Sequence, residues 1–170
     1  MTEERAGTLV IGLGNPLMGD DGIGLEALHR FGRATPVPAG VELVDGGTWG
    51  MNLLPLIETA GAVLFLDAIR LGAAPGTVHE LEGDAVPRRL AHKLSPHQID
   101  LGEVLAIAML RGTLPPGLFA LGIEPAVVEM GTALSPEVES AMPSLLARAA
   151  ARLERLASAV GGRAETACTS

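Results

Sequence analysis

The stretch "TLVIGLGNPLMGDDGIGLEALHRF", residues 8–31, decides how this chain reads. It opens as a continuous apolar run, the pattern of a strand buried on both faces. Gly12 and Gly14 follow as a tight turn, and a helical pattern runs over about 21–32. Strand, glycine turn and helix in succession open many α/β folds, often around a phosphate held by free helix N–H groups. Here two acids, Asp20 and Asp21, stand where that phosphate would sit. Leu17 also occupies the third small position of a G-x-G-x-x-G loop, so a dinucleotide site fits poorly.

Outward from this stretch, apolar runs bounded by turn residues predict strands at about 41–45, 61–67 ("GAVLFLDA" in context) and 117–123 ("GLFALGI"). Helices are expected at about 49–59 and 97–111, the latter with Leu101, Val104, Leu105 and Ala108 on one face. The last helix starts with Ser135 as N-cap and Pro136 at the first position. Val138, Met142, Leu145, Ala149, Leu153 and Leu156 then recur at helical spacing, with Pro143 inside the pattern and a kink or break expected there. "TVHEL" at 77–81 follows strand three too closely for a crossover helix, so it should run antiparallel or at an edge. The fold class is therefore α/β: a single domain spanning 1–170, with a twisted, mostly parallel central sheet of about five strands and helices on both faces. Residues 1–7 and about 160–170 are expected to be flexible tails.

The 170 residues carry a net charge of −8 and only 2% aromatic residues, which argues against nucleic acid or an anionic membrane as partner. A cation or cationic substrate suits this balance better. The one cysteine, Cys168, lies near the chain end, so neither a disulfide framework nor a cysteine zinc site is expected within the chain. Neither a signal-peptide core nor a bilayer-length apolar run is apparent, and a cytoplasmic monomer is expected.

Ligands of open α/β sheets bind beyond the carboxyl ends of the parallel strands. Asp20 and Asp21 follow strand one, Asp45 closes strand two in "LVDGGT", and Asp67 closes strand three. If the chain returns to that edge through 82–96, His97 of "LSPHQ" joins them in the first turn of its helix. There the helix dipole disfavours imidazolium and leaves the neutral ring that a metal requires. Clustered carboxylates also need a compensating cation. Two of these carboxylates with one neutral imidazole would form a mixed O/O/N set for a borderline ion such as Zn²⁺ or Ni²⁺.

Simpler readings compete. Asp20 and Asp21 are good capping residues, Asp20 the better cap and Asp21 the better ligand. "SPHQ" has the form of a capping box, which would leave His97 as an exposed helix-start residue. Asp45 before two glycines is an ordinary turn. Asp67 is harder to dismiss, because an acid ending a strongly apolar strand is costly to bury alone. His29, His79 and His92 lack such a setting and read as surface or supporting residues. The G-x-S-x-G elbow, the P-loop and the HExxH helix are all missing from the sequence.

The motifs "GLGNPLMGDDGIG" at 12–24, "DGGTWGMNLL" at 45–54, "LDA" at 66–68, "SPHQ" at 95–98 and "GIEP" at 122–125 together resemble the [NiFe]-hydrogenase maturation proteases over about residues 8–155. The resemblance implies an endopeptidase that removes a C-terminal extension from the hydrogenase large-subunit precursor after nickel insertion. It implies metal contacts from Asp21, Asp67 and His97, catalytic roles for Asp21 and His97, and substrate recognition by Asp45, Gly46, Gly47 and Thr48. The divalent metal, nickel, would arrive with the precursor. The alternatives are a nickel checkpoint that binds the precursor without cutting it, a nucleotide-binding module on the glycine turn, and a peptidase of another specificity on the same fold.

Overall fold

Alternation along each central strand sends successive side chains to opposite layers, and two separate apolar cores result. The computed structural model describes residues 6–34, 36–90 and 101–166. In β1 (Ala6–Leu13), Val10 faces one layer and Ile11 the other. β3 (Ala60–Ala68) divides Leu64 and Leu66 from Val63 and Phe65 in the same way. β5 (Gly117–Ile123) divides Phe119 and Leu121 from Leu118 and Ala120. With β2 (Val41–Gly47) and β4 (Val78–Glu82) these strands form a five-stranded sheet in the order β2-β1-β3-β5-β4. β2, β1, β3 and β5 are parallel, and β4 pairs antiparallel with β5 at the edge, as its short connection to β3 requires.

One layer holds α1 (Ile23–Ala34) and α5 (Pro136–Thr166), which bury Ile23, Leu28, Phe31, Val138, Met142, Leu145, Ala149 and Leu153. The other holds α2 (Leu54–Thr59), α3 (Ala85–Leu90) and α4 (Leu101–Leu110), with Ile57, Val86, Val104, Leu105 and Ala108 inside. Full burial of a Leu, Ile or Phe side chain is worth about 1.5–3 kcal/mol. The two faces therefore supply most of the driving force that holds these helices to the sheet.

Three expectations need correction. The segment 82–96 is not only a connection, because α3 occupies part of it. Its Val86 and Leu90 are buried, yet six residues are too few for helical periodicity to stand out. Pro143 does not break α5, which runs through it. Pro143 and Glu139, whose carbonyl loses its N–H partner, both lie at exposed positions where water can substitute. The apolar stripe stays in phase on either side, so packing outweighs the proline penalty of about 3 kcal/mol. Finally, Asp45 does not close β2, which continues through Gly46 to Gly47, with an irregularity where β1 passes from Gly12 to Leu13.

Candidate functional site at the carboxyl edge

Two close approaches by glycine build this edge. Gly14, just past β1, has φ +110°, and a Cβ there would lie 1.8 Å from the Asp21 carbonyl oxygen. The chain can double back on itself only without that carbon. The turn closes with the Asn15 N–H donating to Asp21 Oδ2 at 2.9 Å. A 3₁₀ turn at Gly19–Gly22 leads into α1. A Cβ on Gly24 would lie 2.0 Å from the Leu66 carbonyl oxygen and 2.4 Å from that of Leu13. The first turn of α1 therefore rests directly on the ends of β1 and β3. Asp21 is three residues before that contact and Asp67 is one residue after Leu66, so the two acids share this corner of the sheet.

Asp67 is 2% exposed, and its Oδ1 accepts the Ala68 N–H at 2.8 Å. It alternates with Leu66 and shares the parity of Val63 and Phe65, which face the α2–α4 layer. α4 ends one short loop before β5 begins at the amino edge, so it descends from the carboxyl edge. His97, expected just before it, lies outside the described residues, as do His92 and the "SPHQ" segment. Among the described residues, no group of three His, Cys, Asp or Glu side chains is placed to hold a metal ion.

Asp20 takes a different part from its neighbour. It does not cap its own helix: the residue before the 3₁₀ turn is Met18, with no side-chain cap. Instead Asp20, 1% exposed, reaches across to the segment ahead of α5. Its Oδ2 accepts the N–H of Ala126 at 2.8 Å, that of Val127 at 2.9 Å and the Ser135 hydroxyl at 2.8 Å. Its Oδ1 accepts the Ser135 N–H at 2.7 Å. Burial pushes against its charge, but the donors from Ser135, Val127 and Ala126 prevail and hold its carboxyl below the usual carboxylate range. Ser135 directly precedes Pro136 at the start of α5, as expected, and its hydroxyl donates to Asp20.

A second buried carboxylate, Glu124, orders the loop after Asp67. It accepts the Leu71 N–H at 2.9 Å and the Gly72 N–H at 3.2 Å, and His79 Nε2 lies 2.8 Å from its Oε2. Burial again opposes the charge, and the N–H and imidazole donors override it, lowering the pKa. An ionised carboxylate only accepts, so His79 Nε2 carries the proton. Of the two readings of His79, the supporting one holds: its side chain is 11% exposed and bonds Glu124.

The "DGGT" segment divides. Gly47 and Thr48 line a cleft of about 250 Å³ together with Gly14, Asn15, Pro16, Leu25 and Trp49. Gly47 also accepts the Gly14 N–H at 3.0 Å, which ties the cleft to the Asp21 turn. Asp45 and Gly46 do not line it. Asp45 is exposed, with His29 Nε2 4.0 Å away, and Gly46 packs its backbone against Ile11. Sequence reasoning missed Gly24, His79, Glu124 and Trp49 as contributors to this edge. Only Glu124 left a signal, as an acid directly following an apolar strand, the same setting that marked Asp67.

Fold and edge together define an open, three-layered α/β protein with its candidate site at the carboxyl ends of the parallel strands. The hydrogenase maturation protease family, HycI, matches residues 25–152, and the chain belongs to that family. It is 35% identical over 146 residues to the hydrogenase 2 maturation protease of Escherichia coli K12, covering 85% of this chain and 89% of that protein. It is 37% identical over 147 residues to the hydrogenase expression/formation protein HupD of Rhodobacter capsulatus, covering 85% of this chain and 70% of that one. Among solved structures, the hydrogenase maturating endopeptidase HybD from E. coli superposes with a TM-score of 0.82 at 34% identity. That alignment covers 88% of this chain and 93% of HybD.

Proposed function

We propose that this hydrogenase maturation protease removes the C-terminal extension of a [NiFe]-hydrogenase large-subunit precursor once nickel has been inserted. The nickel belongs to the substrate, and Asp21, Asp67 and His97 together recognise it. The observation that carries this reading is the junction at Gly24, which seats α1 on the end of β3 and puts Asp21 and Asp67 at one corner. Family membership supports the proteolytic part. Among the described residues no helix is long and apolar enough to cross a membrane.

In this reading, Asp21 or His97 takes a proton from the attacking water as its oxygen bonds to the scissile carbonyl carbon. The C–N bond then breaks, and the departing amine receives a proton from the same group. The metal held by the precursor positions the carbonyl and polarises it. Thr48 and the backbone of Gly47, in the wall of the cleft, hold the extended segment beside the cut.

The test compares nickel-loaded and nickel-free precursor with wild type and His97→Ala. Cleavage of the loaded form alone, lost in His97→Ala, is the expected result. Equal cleavage of both forms by both proteins would remove the metal-recognition role. Binding of the loaded precursor without any cleavage would leave the checkpoint reading in its place.

A further inference from the structure

Nine large apolar side chains are exposed among the described residues, and they are not spread evenly. Val37, Met109 and Leu110 lie toward the amino edge of the sheet, whereas Leu17, Trp49, Leu71, Val127, Val128 and Met130 lie at the carboxyl edge. Five of these six come from three loops, of which the turn carrying Leu17 meets each of the other two. The Gly131 N–H donates to the Leu17 carbonyl at 2.9 Å and the Gly19 N–H to the Gly131 carbonyl at 2.8 Å, which sets Met130 beside Leu17. Asp20 fixes Ala126 and Val127 to the same turn. Trp49 and Pro16 share the wall of the cleft and continue the apolar line toward Gly47.

Met130 is 89% exposed and Leu17 61% exposed. Isolated apolar residues on a surface need no explanation, but a cluster concentrated at the mouth of a site marks an interaction surface. The cleft of about 250 Å³ has room for one or two side chains. Specific recognition between proteins uses roughly 800 Å² on each partner, so a protein substrate must rest on surface beyond the cleft. The backbone bonds and the Asp20 link already hold these loops in place, which spares binding the cost of ordering them. Exposed Glu129, between Val128 and Met130, lies in the patch and favours basic residues opposite it.

We infer that Leu17, Trp49, Val127, Val128 and Met130 form the docking surface for the large-subunit precursor. They would engage an apolar stretch with basic flanks that lies outside the segment held in the cleft. This inference rests on the proposed protease reading and names where the substrate's remaining surface is bound.

The test measures cleavage of nickel-loaded precursor by wild type, by Leu17→Ser/Met130→Ser, and by Leu110→Ser as a control from the opposite edge. All three sites are exposed, and thermal unfolding verifies that each variant folds. The double variant is expected to raise KM roughly ten-fold or more, with a smaller effect on kcat, while Leu110→Ser behaves as wild type. An unchanged KM in the double variant overturns the inference. So does a wild-type dimer that the double variant dissolves without a change in KM, because the patch would then bind a second copy of the chain. If wild type cuts nothing, the protease reading fails separately, and calorimetric binding of the loaded precursor decides for the surface. Binding lost in the double variant sustains it, and equal or absent binding overturns it.

Discussion

Asp20 and Glu124 are buried carboxylates at the same edge of one sheet, and they organise the regions on its two sides by different means. Around Asp20, three backbone N–H groups and one hydroxyl weld the segment before α5 to the turn that carries Asp21. Around Glu124, backbone N–H groups of the loop after β3 are joined by an imidazole. The Asp20 carboxylate is met by backbone and hydroxyl donors alone and holds the turn that carries Asp21. The Glu124 carboxylate also meets an ionisable side chain, His79, and holds the loop that follows Asp67.

The largest effect that would break this comparison is expected at Asp20. Asp20→Ala strands the two buried donors of Ser135 and the part-buried N–H groups of Ala126 and Val127, and should cost about 2–4 kcal/mol, read by urea unfolding, with cleavage activity falling as the Asp21 turn loosens. A loss below about 1 kcal/mol would show that the weld is not a structural requirement. Gly24→Ala comes next. The added carbon meets the Leu66 and Leu13 carbonyls, and lifting α1 away should cost about 1–3 kcal/mol and lower kcat more than it raises KM. An unchanged kcat would mean that the Asp21–Asp67 corner does not depend on this contact.

Acid titration sharpens the comparison at an intermediate scale. Both carboxyls are held below their ordinary values, so each contributes stability that is present above the unfolded-state pKa near 4. That stability is lost as pH falls through the lower folded value. Urea unfolding between pH 6 and pH 3 should show wild type weakening toward acid. Asp20→Asn and Glu124→Gln should each flatten that slope by up to about 1.4 kcal/mol per pH unit, the limit for one proton. If Glu124→Gln changed the slope and Asp20→Asn did not, the two supports would be unequal.

The smallest effect is expected on the surface. Arg30 pairs with both Glu139 oxygens at 2.8 Å and with Glu26 at 2.6 Å, joining α1 to α5. Its side chain is 36% exposed, so Arg30→Ala should cost under about 1 kcal/mol in unfolding experiments and leave cleavage intact.

Much of the fold was legible in the sequence because burial leaves a period. The apolar runs of β1, β3 and β5, and the stripe from Val138 to Leu153, declare their partners in the core without reference to anything distant. The antiparallel edge strand followed from chain length alone. Legibility ended where a group's partner lies far along the chain. Asp20 bonds residues more than 100 positions away, so capping was its natural local reading, and His79 gave no sign of Glu124, 45 positions on. Short α3 and unbroken α5 escaped for related reasons: one is too brief to show a period, and the other follows its packing in spite of Pro143.

By itself the sequence determined the α/β class, the placing of helices on both faces and the edge where the acids collect, since hydrophobic burial repeats with the period of the backbone. Tertiary structure alone decided that Asp20 holds the segment ahead of α5 instead of capping a helix, that Gly47 and Thr48 line the cleft while Asp45 and Gly46 do not, and that exposed apolar residues gather on one side. Those outcomes depend on which loops meet in space, and hydrogen bonds and contacts between distant segments leave no periodic trace along the chain.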